Sequence, residues 1–300
     1  MAVVAFAAGF VFLSGQPGAT ASPSGGASGA GTSISTETHS PTPRFVRSIV
    51  LVASVGEPKA WTPAGLTWTG IQAAATRIGA TTSNVVPASN ADLPADLDKA
   101  AVAEGAVVVT VGPTADAAVR AAAAAHPATQ FLEMDVVAPD GAPPNVHGLA
   151  FDEAEAGYLA GYVAAAFSGA GKIAMAGDAQ TDVHSTNYGA GFRNGAAQAV
   201  PGIAVAFAYA GTPDSPDRGR TAAAGLVKAG NDVILAMPSL SGIGAMREAC
   251  ARKARLVAVD ADAAQIVPDV ESCLIVSVMK RYDTAVATAI GTASRGGALQ

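Results

Sequence analysis

From about Arg44 onward, short apolar runs alternate with longer amphipathic stretches. The runs that read as strands are Arg47–Ala53, Thr81–Val86, Ala106–Val111, Gln130–Asp135, Val146–Phe151, Lys172–Gly177, Ile203–Tyr209, Asp232–Met237, Arg255–Asp260 and Cys273–Val278. Most are continuously apolar rather than alternating, as expected of parallel strands covered on both faces. Helical stretches lie between most of them: Pro63–Ile78, Pro94–Ala103, Thr114–Ala125, Asp152–Phe167, Thr186–Ala199, Pro216–Ala229, Ser241–Lys253 and Tyr282–Ala293. Repeated strand–helix alternation predicts an α/β protein with doubly wound parallel sheets. Ten strands are many for one such sheet, so two sheets are expected.

The stretch Asp152–Phe167 shows the local code. Asp152 is a good N-cap, and Glu155 three residues on completes a capping-box spacing. Leu159, Val163 and Phe167 fall on one stripe. Gly157 and Gly161, one turn apart, allow a close approach to a neighbouring sheet or helix.

The beginning of the chain follows a different pattern. The first 36 residues carry no Lys, Arg, Asp or Glu, and Ala2–Leu13 is an apolar run of signal-peptide length, too short to span a bilayer. Ala19-Thr20-Ala21 offers a small-x-small cleavage site; no Lys or Arg precedes the run and no lipid-carrying Cys follows it. Residues 14 to about 44 are Gly, Ser, Thr, Ala and Pro with little apolar bulk, which reads as a flexible linker. Export from the cytoplasm is the expectation.

Composition narrows the function. The net charge is -6 and no basic run exceeds two residues, which argues against a nucleic-acid partner. Cys250 and Cys273 are the two cysteines, too few for a disulfide-rich scaffold or a cysteine-only zinc site. They could pair in an exported protein or be small buried hydrophobes in a cytosolic one. His126, His147 and His184 lack metal-ligand spacing and read as surface or loop residues. The pattern calls for no cofactor.

Candidate chemistry sits at strand ends. Leu256–Asp262 ends in carboxylates, and Leu274–Arg281 ends in an ammonium at Lys280. In open α/β sheets ligands bind outside the carboxyl ends of strands. Asp260 and Lys280 on neighbouring strands would suit a neutral ligand rich in hydroxyls, because a carboxylate accepts two bonds from a vicinal diol and Lys donates to oxygens. Asp262 reads as a helix cap. No nucleophile with a poised acid or base stands out, which argues for binding rather than catalysis.

Several short segments carry a resemblance. Glu155-Ala156-Gly157-Tyr158-Leu159-Ala160-Gly161-Tyr162 resembles an E-G/A-x-Y-L-A-G-Y signature, and Gly171-Lys172-Ile173 follows at a compatible distance. Tyr188–Gly195 resembles F-x-x-G-F-x-x-G, Tyr209-Ala210-Gly211-Thr212 resembles Y-x-G-S, and Arg218-Gly219-Arg220 resembles K-G-K. Ser241–Gly244 resembles T-G-x-G, Val259–Asp262 resembles V-D-x-D, and Ser277–Arg281 resembles S-x-x-K-R. In this order they are similar to the basic membrane protein family of solute-binding proteins, which includes purine nucleoside receptor lipoproteins.

The resemblance implies a type I periplasmic-binding-protein fold: a lobe of residues 45–147 plus 265–300, a second lobe of 148–264, and ligand between them. It implies capture of a nucleoside-like ligand for a membrane permease and its ATPase. Asp260 and Lys280 would then hold ribose hydroxyls, and Trp61 would stack on the base, a contact of about 1–3 kcal/mol. Asp135, at the end of its strand, and Gly242, in a Gly-rich helix start, are further candidate ligand contacts. The first loop, Glu57-Pro58-Lys59-Ala60-Trp61-Thr62, departs from the family's D-D-K-S-F-N, Pro213 stands where an aromatic usually follows Y-x-G-S, and Ala263 replaces a Gln. A sensor without transport would use the same lobes. A Rossmann-like enzyme would need a Gly-rich turn after the first strand, where Ala53–Pro58 has one Gly.

Overall fold

The computed structural model describes residues 46–53, 59, 62–103, 105–138, 140–297 and 299. The signal-like segment, the linker and Trp61 lie outside the described residues. Within them the chain runs β1 (Ser48–Val52), α1 (Pro63–Ile78), β2 (Thr81–Val85), α2 (Leu93–Ala101), β3 (Ala106–Val111), α3 (Asp116–Ala125), β4 (Gln130–Met134) and β5 (Val146–Leu149). It continues α4 (Glu153–Phe167), β6 (Lys172–Gly177), α5 (Val183–Ala199), β7 (Ala204–Tyr209), α6 (Pro216–Lys228), β8 (Val233–Ala236) and α7 (Leu240–Ala251). Last come β9 (Arg255–Asp260), the short α8 (Ala263–Ile266), β10 (Leu274–Met279) and α9 (Tyr282–Ser294).

The strands form two five-stranded parallel sheets, in the orders β2-β1-β3-β4-β5 and β10-β9-β8-β6-β7. Successive side chains on a strand point to opposite faces. Ile49 and Leu51 therefore join a core with α1 and α9, while Val50 and Val52 join a core with α2 and α3. The second sheet is covered likewise, by α6 and α7 on one face and by α4 and α5 on the other. Two-sided burial is the reason the strands read as unbroken apolar runs.

One expected boundary differs. The return to the first lobe was expected near residue 265, but β10 pairs with β9 in the second sheet, Val278 opposite Val259 and Met279 opposite Asp260. The apolar strand Leu274–Met279 needs a hydrogen-bonded neighbour, and β9 supplies it. The chain crosses back at Lys280-Arg281, and α9 and then Leu299 rejoin the first-lobe core. Helix α9 packs so closely on α1 that a Cβ on Gly70 would lie 2.2 Å from the Asp283 carbonyl oxygen. Cys250 and Cys273 form a disulfide, Cα–Cα 5.6 Å, that ties the end of α7 to the segment before β10.

The helix pair α4–α5 is seamed by glycines. A Cβ on Gly161 would lie 2.0 Å from the Phe192 carbonyl oxygen, and one on Gly195 would lie 1.9 Å from that of Tyr158. The buried stripe of α4 is accordingly Ala156, Gly157, Ala160, Gly161 and Ala164, whereas Phe167 on the bulkier stripe is 51% exposed. Backbone-to-backbone contact needs the small residues inside and turns the larger ones out. The same seam brings the starts of α4 and α5 together at the edge of the second sheet.

Candidate functional site

The carboxyl ends of the two sheets meet at a cluster of charged side chains. Asp135 follows β4 in the first sheet and Asp260 ends β9 in the second. Both adopt left-handed backbone, φ 62° and 69°, a conformation that short polar residues tolerate better than most. Asp135 is fixed there by its N–H, which donates to the Leu149 carbonyl at 2.6 Å. Lys280 leaves β10 beside Asp260, and its N–H donates to the Asp260 carbonyl at 3.0 Å. Left-handed backbone at both strand ends is the sort of local cost that concentrates at binding sites.

The Lys280 ammonium is buried at the centre. It donates to Asp135 Oδ1 and Oδ2 at 3.1 and 2.9 Å and to Glu153 Oε1 at 2.7 Å, and lies 3.4 Å from Asp260 Oδ1. Its Nζ also sits 5.8 Å from the ring centres of Phe151 and Tyr188. Tyr282 Oη donates to Asp135 Oδ2 at 2.8 Å, and Tyr188 Oη donates to Asp260 Oδ1. His184 Nδ1 lies 2.5 Å from Glu153 Oε1, and Asn187 donates to Glu153 Oε2 at 3.1 Å. One ammonium thus faces three carboxylates, one from the first lobe and two from the second.

Charge and burial act against each other here. Burial pushes the Glu153 carboxyl up, but the His184 hydrogen bond and the Lys280 charge outweigh it and hold the group at about 2. Burial depresses Lys280, and the charges of Asp260, Asp135 and Glu153 more than restore it, so the ammonium is held above its ordinary value. Burial raises Asp260 against the pull of Lys280 and Tyr188. The Glu153 hydrogen bond raises His184 against its burial. A lysine held so firmly protonated is not available as a nucleophile or base.

The bonding pattern leaves one acceptor open. Both oxygens of Asp135 and both of Glu153 are engaged, and Asp260 Oδ1 receives Tyr188. Asp260 Oδ2 makes no hydrogen bond within the described residues, and the side chain is 17% exposed. The cluster can therefore present one oriented carboxylate oxygen, backed by a cation, to a hydrogen-bond donor in the crevice. Among the described residues no group of three or more His, Cys, Asp or Glu is placed to hold a metal ion.

The structure brings together Asp135, Asp260 and Lys280, and separates Gly242 from them in role. The Gly242 N–H is bound by the capping Ser239 Oγ at 2.8 Å, and a Cβ there would lie 1.7 Å from the Met237 carbonyl oxygen. Gly242 is thus required by the packing of α7, not by an open anion cradle. Asp262 caps α8, its Oδ1 accepting from the Ala264 N–H at 3.0 Å. Sequence reasoning missed Glu153 and His184. Glu153 lies on the same helical stripe as Ala156, Gly157 and Ala160, and an acid on a buried stripe was the available signal. His184, expected on the surface, is drawn to Glu153 by the α4–α5 seam.

A family model described as ABC transporter substrate-binding protein PnrA-like matches residues 62–300. Basic membrane protein D of Borreliella burgdorferi (strain JD1) is 33% identical over 145 residues, 47% of this chain and 41% of that protein. The ABC transporter nucleoside-binding protein BmpA of Lactococcus lactis subsp. cremoris (strain MG1363) is 34% identical over 132 residues, 44% of this chain and 37% of that protein. These matches thus span about two fifths of the relatives' length. A solute-binding protein of an ABC transporter system from Aeropyrum pernix K1 superposes with a TM-score of 0.66 at 25% identity, covering 84% of this chain and 72% of that one. One from Conexibacter woesei DSM 14684 gives 0.68 at 20% identity, covering 84% and 82%, a likeness of fold.

Proposed function

The chain belongs to the PnrA-like family of ABC transporter substrate-binding proteins, and from that premise we propose that it captures a nucleoside-like ligand between its lobes and delivers it to a membrane permease driven by an ATPase. The observation that carries the reading is Asp260 Oδ2, the one open acceptor in a cluster whose other carboxylate oxygens are engaged. A sugar hydroxyl donates to that oxygen in a charge-assisted bond worth about 1.5–3 kcal/mol. Lys280 orients Asp260 and gives up part of its contact with Asp135 to reach a second hydroxyl. Asp135 and Lys280 lie on opposite sides of the crossing between the lobes, so their contact responds to closure by hinge motion.

Trp61 completes the proposed site. Its loop leaves β1 at the carboxyl edge of the first sheet, the edge that carries Asp135. The Lactococcus relative's description as nucleoside-binding supports the ligand class. The Cys250–Cys273 disulfide supports residence outside the cytoplasm, where such bonds persist.

Calorimetric titration with a panel of nucleosides tests the proposal. The wild-type chain should bind at least one of them, and Asp260→Ala should abolish that binding while circular dichroism stays unchanged. A folded wild-type protein that binds no nucleoside, or an Asp260→Ala variant of unaltered affinity, overturns it.

A further inference from the structure

The four buried side-chain oxygens without a hydrogen-bond partner in the described structure belong to three neighbours in the first lobe: Thr110 Oγ1, Asp116 Oδ1 and both oxygens of Glu133. Thr110 and Glu133 are opposite each other in the β3–β4 ladder. They continue the face on which Val108 and Phe131 meet α2 and α3. Glu133 is 0% exposed and Thr110 1%. Asp116 opens α3 and gives its other oxygen to Arg120 at 2.5 Å. The remaining strand neighbour of Glu133 is Gly148 on β5, which offers no side chain. The charged groups acting on Glu133 are Asp116 and Arg120, both from α3.

A bare carboxylate in this place would be a buried charge with no hydrogen-bond donor on either oxygen, which proteins avoid by pairing it or neutralising it. A metal cation is the poorer partner. The start of α3 already presents its positive helix end there, and Arg120 adds a full charge. A proton accounts for all four oxygens at once. A protonated Glu133 has a hydrogen to donate to Asp116 Oδ1, and the Thr110 hydroxyl one to donate to the other Glu133 oxygen.

We propose that Glu133 keeps its proton through the mildly acidic range and donates it to Asp116, which makes the first lobe a unit that is strongest in acid and weakens as the medium turns neutral. Burial first, then the Asp116 charge, lift the Glu133 carboxyl from 4.5 to about 7 against the pull of Arg120. The folded value lies above the unfolded one. The folded state therefore has its full stability below about 4.5 and loses part of it as pH rises through about 7. Glu133 stands two residues before Asp135, which reaches the hinge cluster.

Thermal unfolding of the full chain and of Glu133→Gln, followed by tryptophan emission, tests this. Both tryptophans, Trp61 and Trp68, precede β2 in the first-lobe segment, and Trp68 packs on its core. Gln imitates the protonated acid. The variant should melt with the wild type at pH 4.5 and several degrees above it at pH 8. An equal difference at both pH values, or a wild type that gains on the variant at pH 8, overturns the proposal. Should the variant not fold, carbon-13 NMR of glutamate-labelled wild type decides. One carboxyl titrating near pH 7 supports the proposal; glutamates all titrating in the ordinary range overturn it. A melting point that falls on adding a chelator also overturns it, in favour of a bound cation.

Discussion

Two buried glutamates stand in opposite circumstances. At the hinge, Glu153 is surrounded by Lys280, His184 and Asn187, with both oxygens engaged. Inside the first lobe, Glu133 has neither oxygen engaged. Both residues are almost wholly removed from solvent, yet the carboxyl of one is held at about 2 and that of the other is raised to about 7. Burial pushes both upward; what separates them is the company each keeps. Burial alone therefore does not tell whether a carboxyl is charged, and Glu153 owes its ionised state to His184 and Lys280.

The sharpest way to break this comparison is Lys280→Met, which leaves three hinge carboxylates without the Lys280 ammonium. Removing one partner of a buried ion pair costs about 3–5 kcal/mol. Urea unfolding should show a loss of that size, and nucleoside binding should vanish with it. A smaller effect comes from the seam that delivers Glu153 and His184 to each other. Gly161→Ala places a methyl 2.0 Å from the Phe192 carbonyl oxygen, and forcing α4 and α5 apart should cost about 1–3 kcal/mol, read as a lowered urea midpoint. His184→Asn should act least. It removes one of the two donors to Glu153 Oε1, and the carboxyl should titrate at a higher pH than in the wild type by carbon-13 NMR.

The two acids also predict opposite pH limbs. Glu153 is lowered from 4.5 to about 2, so its contribution is present above 4.5 and is lost as pH falls toward 2. The stability of the wild type should fall over that acid range, and Glu153→Gln should flatten the limb. A wild type with no such acid limb would show that Glu153 does not stabilise the hinge.

Much of the architecture was legible because the strands are buried on both faces. Ala106–Val111, Lys172–Gly177 and Arg255–Asp260 are bounded in the structure as the apolar runs predict. Pro63, in the first turn of α1, and Gly79, its left-handed C-cap, mark the ends of that helix in the sequence. The meeting of Asp260 with Lys280 was legible because neighbouring parallel strands end side by side. Asp135 was legible as a candidate at its strand end, but its ion pair with Lys280 was not, because that depends on how the two sheets cross. Glu153 was obscured by its own surroundings: Asp152 and Glu155 match the capping pattern so well that the acid between them drew no notice. In the structure Asp152 does cap α4, accepting from the Glu155 N–H at 2.9 Å, and Glu153 is left to turn inward.

The return of α9 to α1 has a consequence for how the chain assembles as it is made. Residues 153–279 are contiguous and hold every strand of the second sheet, so that half can acquire its core as soon as it emerges. The first-lobe strands lack Val286, Ile290 and the rest of the α9 face until α9 is made, after every strand of the second sheet. The lobe that is begun before the second sheet is thus completed after it, and whatever shields nascent chains from premature association must guard the flank of α1 throughout that interval.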